Sequence, residues 1–168
     1  MASTLTASTL TVKITESITL NGSAQGAENT LSIGSIKQVQ KRIVSCPANS
    51  ETTVIHFQLS AGNIHGDEKF DGALGVAEAK YVRLTNLDNS NSLTLSLQVE
   101  VGEDDSGADD SASLLVEAGK SIMLGTPHDS INVKDDAATL VTDLVDLDSL
   151  VVQPGANAID VEVFIAST

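Results

Sequence analysis

Residues 92–101, SLTLSLQVEV, decide the fold class of this chain. The large apolar residues of this stretch all carry odd numbers, and the Ser, Thr, Gln and Glu residues all carry even numbers. Because successive side chains of a β-strand point to opposite faces, the alternation predicts a strand with one buried and one solvated face. We expect Leu95 and Leu97, in the middle of this strand, to be nearly fully buried.

The same period of two recurs on both sides of this strand. Its clearest other examples are Leu10, Val12, Ile14, Ile18 and Leu20 near the start, and Ile159, Val161, Val163 and Ile165 near the end. With the shorter stretches between them, they predict roughly eight or nine strands at spacings of about 8–12 residues. The expected fold is all-β, a single antiparallel β-sandwich that is jelly-roll-like. At most one short helix is expected, around residues 136–145, where acidic residues precede leucines at helical spacing.

Turn residues separate the predicted strands. Asn21-Gly22 is the strongest turn signal near the start of the chain. Pro47-Ala48-Asn49-Ser50 predicts a hairpin between residues 38–46 and the strand that begins at Thr53. In the same way, the Pro154–Asn157 turn predicts a closing hairpin between the last two strands.

Composition narrows the classes of function. The chain has 168 residues, with 9 basic and 23 acidic side chains and a formal net charge of −14. The negative electrostatic potential of such a chain disfavours both nucleic acid and an anionic membrane as partners, because each attracts a positively charged surface. The start of the chain has no secretory signal pattern, and the lone Cys46 allows no intrachain disulfide, so we expect synthesis in a cytoplasm.

Residues that could support chemistry do not form a recognised motif. His56, His65 and His128 have no metal-site spacing, and Cys46 beside Pro47 is expected to be a structural thiol. The chain lacks a phosphate-binding loop, a nucleophile elbow and a zinc-protease helix motif. We therefore expect no enzymatic activity, no catalytic residues and no cofactor.

The acidic loop at residues 102–110 has two readings. Asp104, Asp105, Asp109 and Asp110 could supply hard oxygen ligands to calcium. The pairs are adjacent rather than alternating, however, and no closing Glu follows, so a solvated loop tip is the favoured interpretation. As part of the surface, these four residues are candidate interaction residues.

Residues 1–9, MASTLTAST, are predicted to be an N-terminal arm, and residues 10–168 the β-sandwich domain. Leu5 and Leu10 are the large apolar residues of this region after Met1. Such an arm cannot bury enough surface alone to offset an ordering cost of ~1–2 kcal/mol per residue. We expect it to add to a sheet edge of a neighbouring subunit, with Leu5 and Leu10 as candidate interaction residues.

Several stretches resemble small virion structural proteins of tailed marine bacteriophages. They are VKITESITLNG (12–22), IKQVQKRIVSCP (36–47), KYVRLTNLDNSNSLTLSL (80–97), LLVEAGKSIML (114–124) and IDVEVFIAST (159–168). The resemblance implies a non-enzymatic β-sandwich subunit of the virion and transfers no active-site residue. A decoration or cement protein is the leading expectation, a homotrimer bound to the major capsid protein or another virion protein. A neck or tail component, a secreted adhesin or surface-layer subunit and a carbohydrate-binding domain are the alternatives.

A chelator is expected to leave the melting temperature of the isolated protein unchanged, because no ligand set in the sequence matches a metal site. Thermal melts with and without a chelator, then with millimolar calcium, make the comparison. A rise of several degrees in calcium would instead identify the acidic loop at residues 102–110 as a binding site.

Overall fold

Fourteen β-strands form in the described part of the chain. The computed structural model describes residues 6–57, 74–99, 110–125, 131–133 and 145–168. The strands are β1 Ser8–Thr15, β2 Thr19–Leu20, β3 Ser23–Ala24, β4 Glu28–Ile36, β5 Gln38–Cys46, β6 Thr52–His56, β7 Ala79–Asn86, β8 Leu93–Val99, β9 Asp110–Val116, β10 Ser121–Leu124, β11 Asn132–Val133, β12 Val145–Asp146, β13 Ser149–Pro154 and β14 Ile159–Ser167. The chain is all-β over these residues, as predicted.

Eight of these strands form two four-stranded antiparallel sheets. Sheet I has the order β10-β7-β14-β5, and sheet II has the order β6-β13-β8-β9. The eight strands pair in a nested way: the first with the last, the second with the seventh, the third with the sixth and the fourth with the fifth. This order is that of a jelly roll, which confirms the predicted antiparallel sandwich.

The core lies between the two sheets and follows the alternation in the sequence. Leu95 and Leu97 are 0% and 7% exposed, as predicted from their parity in β8. Ile159, Val161, Val163 and Ile165 of β14 are buried in the same way. The largest fully buried side chains of the sandwich are Phe57, Ile55, Leu84, Leu93, Leu95, Leu147, Leu150, Ile159 and Ile165. A core built almost entirely from aliphatic side chains agrees with an aromatic content of 2%.

Two predicted hairpins are wrong. β5 pairs with β14 and β6 pairs with β13, so the connection at residues 47–51 crosses from sheet I to sheet II. The connection at residues 155–158 likewise crosses from β13 in sheet II to β14 in sheet I. A strand alternates in the same way whether its neighbour in sequence lies beside it or on the facing sheet. The period of two therefore carries no information on this choice.

The predicted helix around residues 136–145 lies almost wholly outside the described residues. Its last residue, Val145, starts β12, which pairs with β11. Among the residues that are described, none belongs to a helix long and apolar enough to cross a membrane.

Four connections cross between the sheets at one end of the sandwich, which we call the arch end. They are residues 47–51, 87–92, 117–120 and 155–158. The backbone N–H and C=O groups of these segments are not paired in the strand ladders, so they need other hydrogen-bond partners. Asn49 N–H in the first connection donates to the carbonyl of Gly155 in the last connection at 2.9 Å. Leu87 N–H donates to the carbonyl of Asp160 in β14 at 3.0 Å.

The side chain of Asn86 supplies further hydrogen-bond partners at the arch end. Its side chain is completely buried, and its Nδ2 lies within hydrogen-bond distance of the carbonyls of Asn91 (2.9 Å), Val116 (3.3 Å) and Glu117 (3.2 Å). Since this nitrogen has two hydrogens, one of them is shared between two carbonyls. Its Oδ1 accepts the backbone N–H of Asp88 at 3.0 Å. One amide thus joins the end of β7 to the start of β8 and the end of β9.

Asp88 completes the turn that follows β7. Its Oδ1 accepts the backbone N–H groups of Ser90 and Asn91, both at 2.7 Å. These hydrogen bonds hold the pKa of the Asp88 carboxyl below its usual value. Both Asp88 and Asn86 are side chains of the turn-capping type.

Replacing Asn86 by Ala is expected to lower the free energy of unfolding by about 2–4 kcal/mol, because carbonyls and an N–H group in a water-poor site lose their partner. Denaturant unfolding measures the loss. Asn89→Ala is the matched control, since Asn89 is exposed in the same connection and should change stability by less than about 0.5 kcal/mol. Equal stability of the two variants would show that the Asn86 amide does not hold the arch end together.

Candidate interaction surface

Residues 8–36 form one long β-hairpin, which we call the ribbon. Its turn is Asn21-Gly22, with φ of 50° and 78°, the left-handed values that a two-residue hairpin turn requires. β2 pairs with β3 next to this turn, and β1 pairs with β4 farther from it. The register is the same from Leu20↔Ser23 to Thr11↔Ser32. The predicted turn is therefore confirmed, and it fixes the alignment of both strands.

The base of the ribbon packs on the outer face of sheet I. Ile33 and Ile36 of β4 are buried against Tyr81 of β7 and Ala166 of β14. Leu10, Val12, Leu31 and Phe164 are partly buried around them. This second, small cluster is separate from the core between the sheets.

A β-bulge marks the place where the ribbon joins the sandwich. The register shifts between Ser8 and Leu10, so that Gly34 and Ser35 oppose the single residue Thr9. Ser35 has a φ of 61°. Since a bulge bends the strand that carries it, the chain turns here from the ribbon into β5.

The outer half of the ribbon packs against nothing in the described part of the chain. Every residue from Lys13 to Thr30 is exposed. At ~3.3 Å per residue, this half extends roughly 30 Å from the base to the turn. Ile14, Ile18 and Leu20, which we call the ribbon row, are 45%, 57% and 60% exposed. They share one parity with Leu10 and Val12, so the apolar row of the base continues uncovered toward the turn.

The opposite face of the ribbon is polar. Lys13 Nζ lies 3.0 Å from Glu28 Oε1, with both side chains more than half exposed. An exposed pair of this kind contributes little, about 0–1 kcal/mol. A two-stranded hairpin is marginal in water unless a further layer covers its apolar side. The ribbon row is therefore a surface suited to binding another protein.

A second uncovered apolar set lies on β5, the edge strand of sheet I. Val39 and Ile43, which we call the β5 row, are 54% and 62% exposed. They have the parity that points away from the core, as does Lys41 between them. The inward-facing Arg42 donates to the carbonyl of Val54 in β6 at 2.5 Å, and so ties the β5 edge to sheet II.

An ion-pair network borders the β5 row. Glu162 on β14 contacts Lys41 at 2.9 Å and Arg83 at 2.5 Å, and the Arg83 guanidinium lies 5.8 Å from the ring centroid of Phe164. The hydrogen bond from Lys41, together with the charges of Lys41 and Arg83, lowers the pKa of the Glu162 carboxyl. The network joins three neighbouring strands across the outer face of sheet I.

The predicted interaction residues have different fates. Leu10 lies in β1, half-buried in its own chain's cluster at the base of the ribbon. The predicted boundary between residues 9 and 10 falls inside β1 for the same reason. Asp110 begins β9, where its backbone pairs with Val99. Leu5, Asp104, Asp105 and Asp109 lie outside the described residues.

The residues considered for metal or nucleophile chemistry are not brought together where they are described. Cys46 is buried, and burial raises the pKa of its thiol. His56 is exposed, with Nε2 3.3 Å from Asp148 Oδ1. His65 and His128 lie outside the described residues. In the described ranges, no three His, Cys, Asp or Glu side chains cluster as a metal site would require.

Sequence reasoning missed the exposure of the ribbon row. The alternation in residues 10–20 predicted a half-buried strand, and only Leu10 and Val12 are partly buried. A usable signal was the turn itself, since Asn21-Gly22 with strands of similar length on both sides predicts a long hairpin. Whether another strand covers that hairpin depends on the whole topology.

Comparisons with protein families, with curated proteins and with solved structures find no match to this chain. The functional inference therefore rests on the ribbon row and the β5 row.

Replacing Glu162 by Gln is expected to lower the free energy of unfolding by about 0.2–1 kcal/mol at neutral pH, because the ion pairs with Lys41 and Arg83 are lost. A carboxyl with a lowered pKa stabilises the fold above its unfolded-state pKa, and that contribution disappears as the pH falls through the lower, folded-state pKa. Denaturant melts from neutral pH downward should therefore show the variant converging on the wild type in acid.

Glu51→Gln removes one negative charge from an exposed residue before β6 and serves as the control for net charge. A difference between Glu162→Gln and wild type that stayed constant down to strongly acidic pH would contradict the ion-pair explanation.

Proposed function

We propose that this chain is a non-enzymatic structural subunit of a bacteriophage virion, a decoration or cement protein on the outside of the capsid. The observation that carries the proposal is the ribbon, with Ile14, Ile18 and Leu20 exposed along a hairpin roughly 30 Å beyond its base. A projecting hairpin with an apolar row is an element for holding a neighbour. A monomer that acts alone has no need of it.

The fold supports a structural role. The jelly roll occurs in viral capsid proteins, and also in lectins and cupins, so it does not decide the function by itself. Lectins commonly stack sugars on aromatic rings, and this chain has no Trp and a single Tyr, Tyr81, which is buried. Cupins use clustered metal ligands, and the described residues hold no such cluster. A role in a particle is the one that these residues favour.

The proposed mechanism is stabilisation by mass action. A subunit that binds across a joint of the assembled shell, and not to the opened shell, shifts the equilibrium toward the closed particle. The partner is the major capsid protein or another virion protein, and the subunit is a homotrimer located in the virion. The net charge of −14 disfavours direct contact with packaged nucleic acid or with a membrane.

Full-length protein is expected to pellet with undecorated capsid shells and to raise the temperature at which they open. Co-sedimentation and shell melting measure the two effects. A form that lacks residues 1–7 keeps β1 intact, and it should fold normally but pellet less if the predicted N-terminal arm contributes.

Equal pelleting of the two forms would remove the arm from the mechanism. Binding of the full-length protein to neck or tail complexes, without binding to shells, would overturn the decoration role in favour of the neck or tail alternative.

A further inference from the structure

We infer that the ribbon row of one protomer binds the β5 row of a second copy of this chain. The inference deepens the proposed function and rests on it for the expectation of an oligomer, since it names the contact through which the homotrimer would form. It is carried by the placement of exposed apolar side chains, the register of the ribbon and the distribution of charge.

Exposed apolar residues are concentrated in the first strands of the chain. Of the eight large hydrophobic residues that are exposed in the described part, five belong to the ribbon row and the β5 row; the other three are Leu87, Leu115 and Met123. Single exposed hydrophobic residues are ordinary on a protein surface. Two rows on adjacent elements mark an interaction surface.

The ribbon row cannot be covered by its own β5 row in this structure. The base is fixed on sheet I by Ile33, Ile36, Tyr81 and Ala166, and every residue from Lys13 outward to the turn is exposed. The constant register keeps this part an extended hairpin. Each protomer therefore offers one apolar row that projects and one that remains open on its sheet. The row at the base already packs on the outer face of sheet I, so the proposed contact repeats that packing between molecules.

Charge favours contact between the ribbon row and the β5 row over a symmetric contact between two β5 strands. Lys13 pairs with Glu28 on the opposite face of the ribbon, so Glu16 is the charged residue that shares a face with the ribbon row. Residues 37–46 carry Lys37, Lys41 and Arg42 with no acidic residue, and Lys37 and Lys41 have the parity of the β5 row. A slightly acidic ribbon thus meets a basic strand in a chain whose remainder is strongly acidic. Two β5 strands placed edge to edge would instead bring these basic residues together, which opposes a symmetric β5–β5 contact.

A contact between two different surfaces on identical chains is heterologous. Such a contact closes into a ring when the rotation between protomers allows it. Each protomer of a three-membered ring would donate one ribbon and accept one. The homotrimer then follows from a single kind of contact.

The test begins with the oligomeric state of the full chain. Sedimentation equilibrium of the wild type should show a trimer. Ile18→Ser with Leu20→Ser, and separately Ile43→Ser, should each raise the dissociation constant about 10- to 100-fold through lost apolar burial. All three residues are exposed in the protomer. The melting temperature of the monomer, measured at a protein concentration below the dissociation constant, should therefore be unchanged. Leu115→Ser is the matched control: Leu115 is 65% exposed on β9, outside both rows, and its variant should associate like the wild type.

Mixing the two variants separates ribbon-to-β5 contact from other geometries. The Ile43→Ser protein keeps an intact ribbon, and the Ile18→Ser/Leu20→Ser protein keeps an intact β5 row. Native mass spectrometry of the mixture should show 1:1 complexes that neither variant forms alone. Absence of mixed complexes, a monomeric wild type, or equal weakening by Leu115→Ser would each overturn the inference.

Failure of this inference can be told from failure of the proposed function. A wild type that pellets with shells but stays monomeric would overturn the ribbon-to-β5 contact and leave the decoration role standing. A trimer that dissociates as described but binds no shell would support the contact and count against the decoration role.

Discussion

The buried amide of Asn86 is the interaction on which the sandwich most depends. Two sheets joined by four crossing connections concentrate at one end the backbone groups that no strand ladder can pair. Asn86 meets three of those carbonyls and one N–H group from a fully buried position. The apolar core holds the sheets face to face, but hydrophobic burial is non-directional. The hydrogen bonds of Asn86 are directional, and they fix where β8 and β9 stand relative to β7.

Local features of the fold could be predicted from the sequence, and long-range pairing could not. The alternation around Leu95 and Val161 identified strands and buried faces correctly, and Asn21-Gly22 identified a turn. The wrong hairpins at residues 47–51 and 155–158 have one cause, because an arch between sheets and a hairpin within a sheet need the same alternation. Asn86 shares its parity with Val82 and Leu84, and a polar residue on an apolar face was the available sign of a buried hydrogen-bonding role.

The candidate site was predictable only in part, for a related reason. Leu10, a predicted contact with a neighbour, lies half-buried at the base of the ribbon, whereas Ile18 and Leu20 were expected to be buried and are not. Parity states which side chains lie on one face, but not what lies opposite that face. The charge pattern was visible throughout: no acidic residue occurs between Glu28 and Glu51 in a chain with 23 of them. That gap coincides with β4, the bulge and β5.

The Gly34-Ser35 bulge has a consequence for how related chains can diverge. It separates a hairpin whose length is unconstrained by the core from a sandwich whose strand lengths are matched. Adding two residues to each strand of the hairpin would preserve every face and extend its reach by about 7 Å, whereas adding one to each would turn the apolar row to the other side. The length of the hairpin can therefore change by two residues per strand at a time while its apolar row stays on the same face. Spacing between subunits could be retuned by insertions and deletions without repacking the jelly roll.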